Sequence, residues 1–153
     1  INKKKKNMAK FEEPFEDTLD LYNDVIKTVG LDQDMNITIL VNNKSKELFK
    51  INKANELLKY RTGDDIIIVL NEKIFEQLTD EQRRIVVEES LASIHYDTEN
   101  DKLVITKPDV VTFSGVLSKH TFEKWNVLRE SIKTLYAAEK QAEEEAANAK
   151  TKG

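Results

Sequence analysis

Few residues in this chain could do chemistry, and their spacing restricts them further. His95 and His120 are the only imidazoles, so a histidine base or a histidine-ligated metal has to draw on one or both. A site combining Glu89, His95 and His120 would suit a metal hydrolase. Against it, Glu89 and His95 on one helix would be separated by about 600° of rotation, which puts them on different faces. The acid pairs Glu12-Glu13, Asp64-Asp65 and Glu88-Glu89 have the composition of acid–base dyads, but solvated charge is the simpler reading of each. Ser93 and Ser114 lack an evident histidine–acid partner for nucleophilic work. The four glycines, Gly30, Gly63, Gly115 and Gly153, are too scattered for a phosphate-cradling loop. With no cysteine in the chain, disulfides, thiol catalysis and cysteine zinc sites are removed together.

The 153 residues suffice for one domain with a single core. No run approaches the roughly 18 apolar residues of a membrane-spanning helix, so no membrane association is expected. The N-terminal Ile1–Asn7 is basic but lacks the apolar stretch of a signal peptide. Met8 is a candidate start, with residues 1–7 a translated upstream leader. Net charge is −4. Residues 1–10 carry +5 and residues 137–153 carry −1, so the body between them is −8. An acidic body disfavours broad binding to a phosphate backbone. Nucleic acid therefore enters only as an alternative partner, through the Lys3–Lys6 run.

The elements that must position any site follow from periodicity. Residues 1–13 read as a flexible basic arm, with Pro14 near the first helix start. Phe15, Leu19, Tyr22, Ile26 and Val29 recur at helical spacing, and Gly30 stops the helix. The β-branched run Asn36–Asn42 predicts a strand, and residues 46–52 a second, more exposed one. Residues 53–62 fit helix and loop equally. Ile66–Leu70 reads as a strand buried on both faces, and Asn71–Gln77 as a short helix. Thr79 with Gln82 gives a capping box, and Val87, Leu91 and Ile94 form the core stripe of the helix that follows. Leu103–Ile105 predicts a brief strand and Pro108 the start of another helix. Trp125, Leu128, Ile132 and Leu135 step along a final helix beginning near Thr121. Beyond Ala138 that stripe ends, and 137–153 reads as a charged helical or disordered tail, helix-favouring in composition but expected to fray without an apolar face.

Three stretches then acquire meaning together: Arg61-Thr62-Gly63-Asp64-Asp65-Ile66-Ile67-Ile68, Leu78-Thr79-Asp80-Glu81-Gln82-Arg83-Arg84 and Lys107-Pro108-Asp109-Val110-Val111-Thr112-Phe113-Ser114. In order and spacing they resemble the phage metallopeptidase family, small zincin-like domains of phage and prophage genomes, over residues 14–136. The resemblance implies an α+β fold: a small mixed sheet of about three strands packed with helices, a zincin-like core and a long C-terminal helix. Zincins bind zinc through H-E-x-x-H, two imidazoles one turn apart with a glutamate that activates water. Carried across, the first His falls on Glu89, the catalytic Glu on Ser90 and the second His on Ser93. The third ligand falls on Pro108, while Asp109 matches and is equally explained as a helix-capping residue. Serine and proline cannot supply the ligands or the base.

The expectation is a pseudoenzyme without metal or cofactor, located in the host cytoplasm or the virion. It would act as a protein-binding or virion structural or accessory component, with a phage or host protein or a second copy as partner. Two surfaces are candidates: the former site at Glu89, Ser90, Ser93, Pro108 and Asp109, and the helix stripe Trp125, Leu128, Ile132 and Leu135. The alternative for the stripe is packing on the chain's own core. The competing functions are a nucleic-acid-associated accessory protein using the Lys-rich arm and a hydrolase with a relocated metal site.

Overall fold

The computed structural model describes residues 10–97, 99–100, 102–105 and 122–152. The central strand, β3 (Ile66–Leu70), pairs on one side with β1 (Ile37–Val41) and on the other with β2 (Phe49–Lys53). β1 runs parallel to β3, with Ile39 opposite Ile68. β2 runs antiparallel, with Ile51 opposite the same Ile68. The sheet is thus small and mixed, as expected. Strand side chains alternate between faces, and here Ile66, Ile68 and Leu70 are buried while Ile67 and Val69 are only partly covered. The expectation of burial on both faces is corrected accordingly.

α1 (Glu16–Val29) carries Glu16 and Asp17 in its first turn, where carboxylates oppose the helix dipole. It ends at Gly30, whose φ of 78° is the left-handed conformation that glycine adopts without steric cost. The arm expected over residues 1–13 is tied at one of its last residues, since Glu12 and Val41 exchange two backbone hydrogen bonds of 2.8 Å. Phe15 N–H then donates to the buried Glu72 carboxylate at 2.9 Å.

α2 (Glu56–Thr62) settles the ambiguous stretch as helix, because Asn55 accepts the Leu58 N–H as its cap. The turn after it joins three elements. Gly63 takes φ 78°, Thr38 Oγ1 donates to Asp64 at 2.6 Å, and Asp65 accepts Asn36 N–H at 2.8 Å while pairing with Lys59 at 2.7 Å. Asp64 and Asp65 are therefore structural rather than a dyad. Burial pushes the Asp65 carboxyl up, but the Lys59 and Asn36 hydrogen bonds and the Lys59 charge outweigh it, and its pKa is lowered. A carboxyl with a depressed folded pKa stabilises above its ordinary value and loses that contribution as pH falls through the folded one. Asp65→Asn should cost about 1 kcal/mol at pH 7. In urea unfolding the gap to the parent should close as pH drops below about 4.

α3 (Glu72–Phe75) is one turn capped by Asn71. α4 (Asp80–Ala92) opens with the expected capping box, Thr79 and Gln82 bonding reciprocally. It stops before Ile94, which begins a strand rather than continuing the helix stripe. β4 (Ile94–Asp97) and β5 (Lys102–Ile105) form a separate antiparallel hairpin, of which only β5 was expected. The 600° argument against joining Glu89 to His95 thereby loses its premise, because His95 is an exposed strand residue. α5 runs unbroken from Phe122 to Lys152, so the described part of the tail is helical, in keeping with its composition. The expected start at Thr121 and the helix at Pro108 lie outside the described residues.

One apolar cluster joins these parts. Tyr22, Val25 and Ile26 of α1, the inward residues of β3, Ile85, Val86, Val87 and Leu91 of α4 and Leu128 of α5 are all buried in it. Trp125, Ile132 and Leu135 pack against the same cluster. The α5 stripe named as a candidate partner face thus covers the chain's own core.

Candidate functional site

α5 reaches the first of the candidate ligand positions on α4, Glu89. Three polar contacts cross between the helices: Glu81 with Lys124, Gln82 Nε2 with Ser131 Oγ at 3.3 Å, and Glu89 with the Arg129 guanidinium. The Glu89 side chain keeps only 11% of its exposure and Arg129 36%. Arg129 also lies over the Trp125 ring, 5.1 Å from its centroid, where a guanidinium is attracted by the ring's negative face. Burial lowers the Arg129 pKa from its ordinary value, but a guanidinium stays charged in proteins. Glu89 is therefore neutralised by a fixed organic cation.

Ser90 is fully buried. Its Oγ donates to the Val87 carbonyl at 2.8 Å and lies 3.3 Å from the Tyr22 hydroxyl on α1. With its proton given to Val87, the serine oxygen is left to accept from Tyr22. Burial pushes the Tyr22 phenol up to about 12, against a smaller opposing effect of the Ser90 hydrogen bond, so Tyr22 remains a neutral donor. Ser93 caps α4 and donates to the Ser90 carbonyl at 3.0 Å. These serines hold the end of the helix and its contact with α1.

Zinc needs three or four convergent nitrogen, sulfur or carboxylate donors. Glu89, Ser90 and Ser93 offer one carboxylate already paired with Arg129 and two hydroxyls that donate to backbone carbonyls. This donor set does not fit zinc. Among the described residues no three His, Asp or Glu side chains gather into a metal-holding group. The candidate residues Pro108, Asp109 and His120 lie outside the described residues. Glu88, the other member of its acid pair, bonds Arg84 one turn away at 3.4 Å, as a helix-surface ion pair does.

Arg129 and Tyr22 were not legible as partners of this region. Each sat inside a stripe read only for its apolar members. The one available signal was the Trp125–Arg129 spacing of four, which places a cation over an aromatic on a helix.

A small mixed sheet, a capped helix crossing its core and a long helix closing over it define an α+β domain of the kind the sequence pointed to. The chain belongs to the family described as "Putative phage metallopeptidase", whose model matches residues 9–137. No curated protein and no solved structure matches it significantly. Among the described residues, no helix is long and apolar enough to cross a membrane.

Proposed function

We propose that this chain is a non-catalytic member of the phage metallopeptidase family that acts as a protein-binding or virion accessory component. The observation that carries this reading is the commitment of Glu89, Ser90 and Ser93 to contacts that a zinc site would have to break. A catalytic base must reach water and substrate, and Ser90 offers a buried hydroxyl turned to a backbone carbonyl. A shared fold carries no obligation to a shared activity. Ser90 and Ser93 are also buried from any partner, so binding is assigned to other surfaces.

Native mass spectrometry of the intact protein, with and without added zinc, tests this directly. The expected spectrum is metal-free and unmoved by zinc after dialysis, and the same record gives the oligomeric state. One tightly held metal ion surviving dialysis would overturn the reading. Its loss in Glu89→Ala, His95→Ala or His120→Ala would then assign it to a relocated centre.

A further inference from the structure

A cleft lies away from the α4–α5 contact, between the β1–β2 turn, the start of α3 and the outer part of α5. Its volume of about 450 Å³ falls within the roughly 300–1,000 Å³ usual for ligand sites. The half-buried Tyr136 supplies apolar wall over the buried Ile74, and Lys44, Lys46, Lys73 and Lys140 stand around it. Lys73 is paired with Glu139 at 2.9 Å. Lys44, Lys46 and Lys140 make no ion pair among the described residues. They converge from two parts of the chain about ninety residues apart, on a body whose net charge is negative. Glu143 also lines the cleft, and Glu47 is close enough to Tyr136 to act on its charge.

The wall that carries these lysines is braced. The Ser45 carbonyl accepts from Asn71 Nδ2 at 2.9 Å and from the Tyr136 hydroxyl at 3.3 Å. Lys44 N–H donates to Asn42 Oδ1 at 3.1 Å, and Lys73 N–H to Asn43 Oδ1 at 2.9 Å. Burial is the main cause that pushes the Tyr136 phenol up to about 12, so this brace holds through neutral pH. A turn fixed before binding loses little entropy when a ligand arrives.

We propose that this cleft docks an acidic peptide segment of a partner protein, its carboxylates on Lys44, Lys46 and Lys140 and an apolar side chain against Tyr136. The proposal rests on the protein-binding reading and names its partner's chemistry. Discrete carboxylates suit the site better than a nucleic-acid backbone. A phosphodiester chain is uniformly charged and would run into Glu143, which lines the cleft, and Glu47, whose charge reaches Tyr136, whereas a peptide can set its charges opposite the three lysines alone. Complementary surface charge gives association that weakens as salt screens it.

Fluorescence anisotropy with the full chain tests this, using a labelled heptapeptide of four acidic residues around one leucine. An uncharged analogue and a single-stranded oligothymidylate of equal charge serve as the other arms. Saturable, salt-sensitive binding of the acidic peptide is expected. It should weaken by about tenfold or more in Lys44→Glu/Lys46→Glu/Lys140→Glu. The control Lys27→Glu/Lys53→Glu/Lys102→Glu makes the same charge change away from the cleft and should bind better than the cleft variant. Glu143→Gln should tighten binding and so checks the site without reversing any lysine. No peptide binding, equal loss in both triple variants, or binding of the oligonucleotide alone would overturn the proposal. Because metal content is read in a separate experiment, its failure is distinguishable from that of the non-catalytic reading.

Discussion

Ser90→Glu, which puts a carboxylate where the resemblance places the family's glutamate, is expected to destabilise this chain by about 5–7 kcal/mol at pH 7. The position is fully buried, with Val87 O and Tyr22 Oη already against the serine oxygen. A carboxyl held there has its folded pKa raised by desolvation. If that pKa passes 7, keeping the group protonated at neutral pH costs roughly 3.7 kcal/mol relative to an ordinary glutamate near 4.3. The longer side chain adds about 1–3 kcal/mol of overpacking. Because the folded pKa lies above the unfolded one, the unfolded state releases its proton first as pH rises. The charge contribution is therefore absent below about pH 4 and grows by roughly 1.4 kcal/mol per pH unit up to the folded pKa. Urea unfolding of parent and variant at pH 4 and pH 7 separates the two parts. Equal stability at pH 7 would mean that the position has water and room, contrary to its packing.

Breaking the Glu89–Arg129 pair has the second largest expected effect. Glu89→Ala leaves a guanidinium that is largely withdrawn from solvent without its carboxylate. Removing one partner of a buried pair costs about 3–5 kcal/mol, and an exposed pair is worth about 0–1. Arg129 keeps 36% exposure, so water screens part of the loss and about 2 kcal/mol is expected. For a chain of this length that corresponds to a fall in Tm of roughly 4–8 °C. Glu89→Ala/Arg129→Ala should cost less than the sum of the single changes, because the second removes the charge the first leaves stranded. Trp125 is the only tryptophan and lies beneath Arg129. Its emission should shift to the red when α5 loosens, whereas strictly additive losses with unchanged emission would show that the pair does not hold the helix.

What could be read beforehand was what neighbouring residues decide among themselves. The β-branched runs at Ile37–Val41 and Ile66–Leu70 specify strands, Thr79 with Gln82 specifies a helix start, and Gly30 specifies a stop. The end of α4 was not legible, because Val87, Leu91 and Ile94 keep helical spacing across the boundary. Ile94 goes instead to pairing with Ile105, a partner eleven residues away. The burial of β3 was overestimated for a related reason: an unbroken apolar run does not say that one face will be only half covered. At the candidate site, the lack of any imidazole at Glu89, Ser90 and Ser93 was visible in the residues themselves. What occupies those side chains was not, since Tyr22 and Arg129 arrive from opposite ends of the chain. The lysine cleft likewise joins distant parts of the chain, the turn at residues 43–46 and the helix at 136–143.

The length of α5 has a further consequence. Its 31 residues span roughly 46 Å, and among the described residues its apolar packing on the core runs from Trp125 to Tyr136. From Gln141 onward the described side chains are exposed, and their alanine, glutamate and glutamine content alone favours the helix. Helix propensity alone holds a stretch that short only marginally. One continuous helix therefore holds two regimes of hydrogen exchange: amides near Leu128 that open only with the whole domain, and amides toward the C-terminus that open by local fraying while the core stays folded.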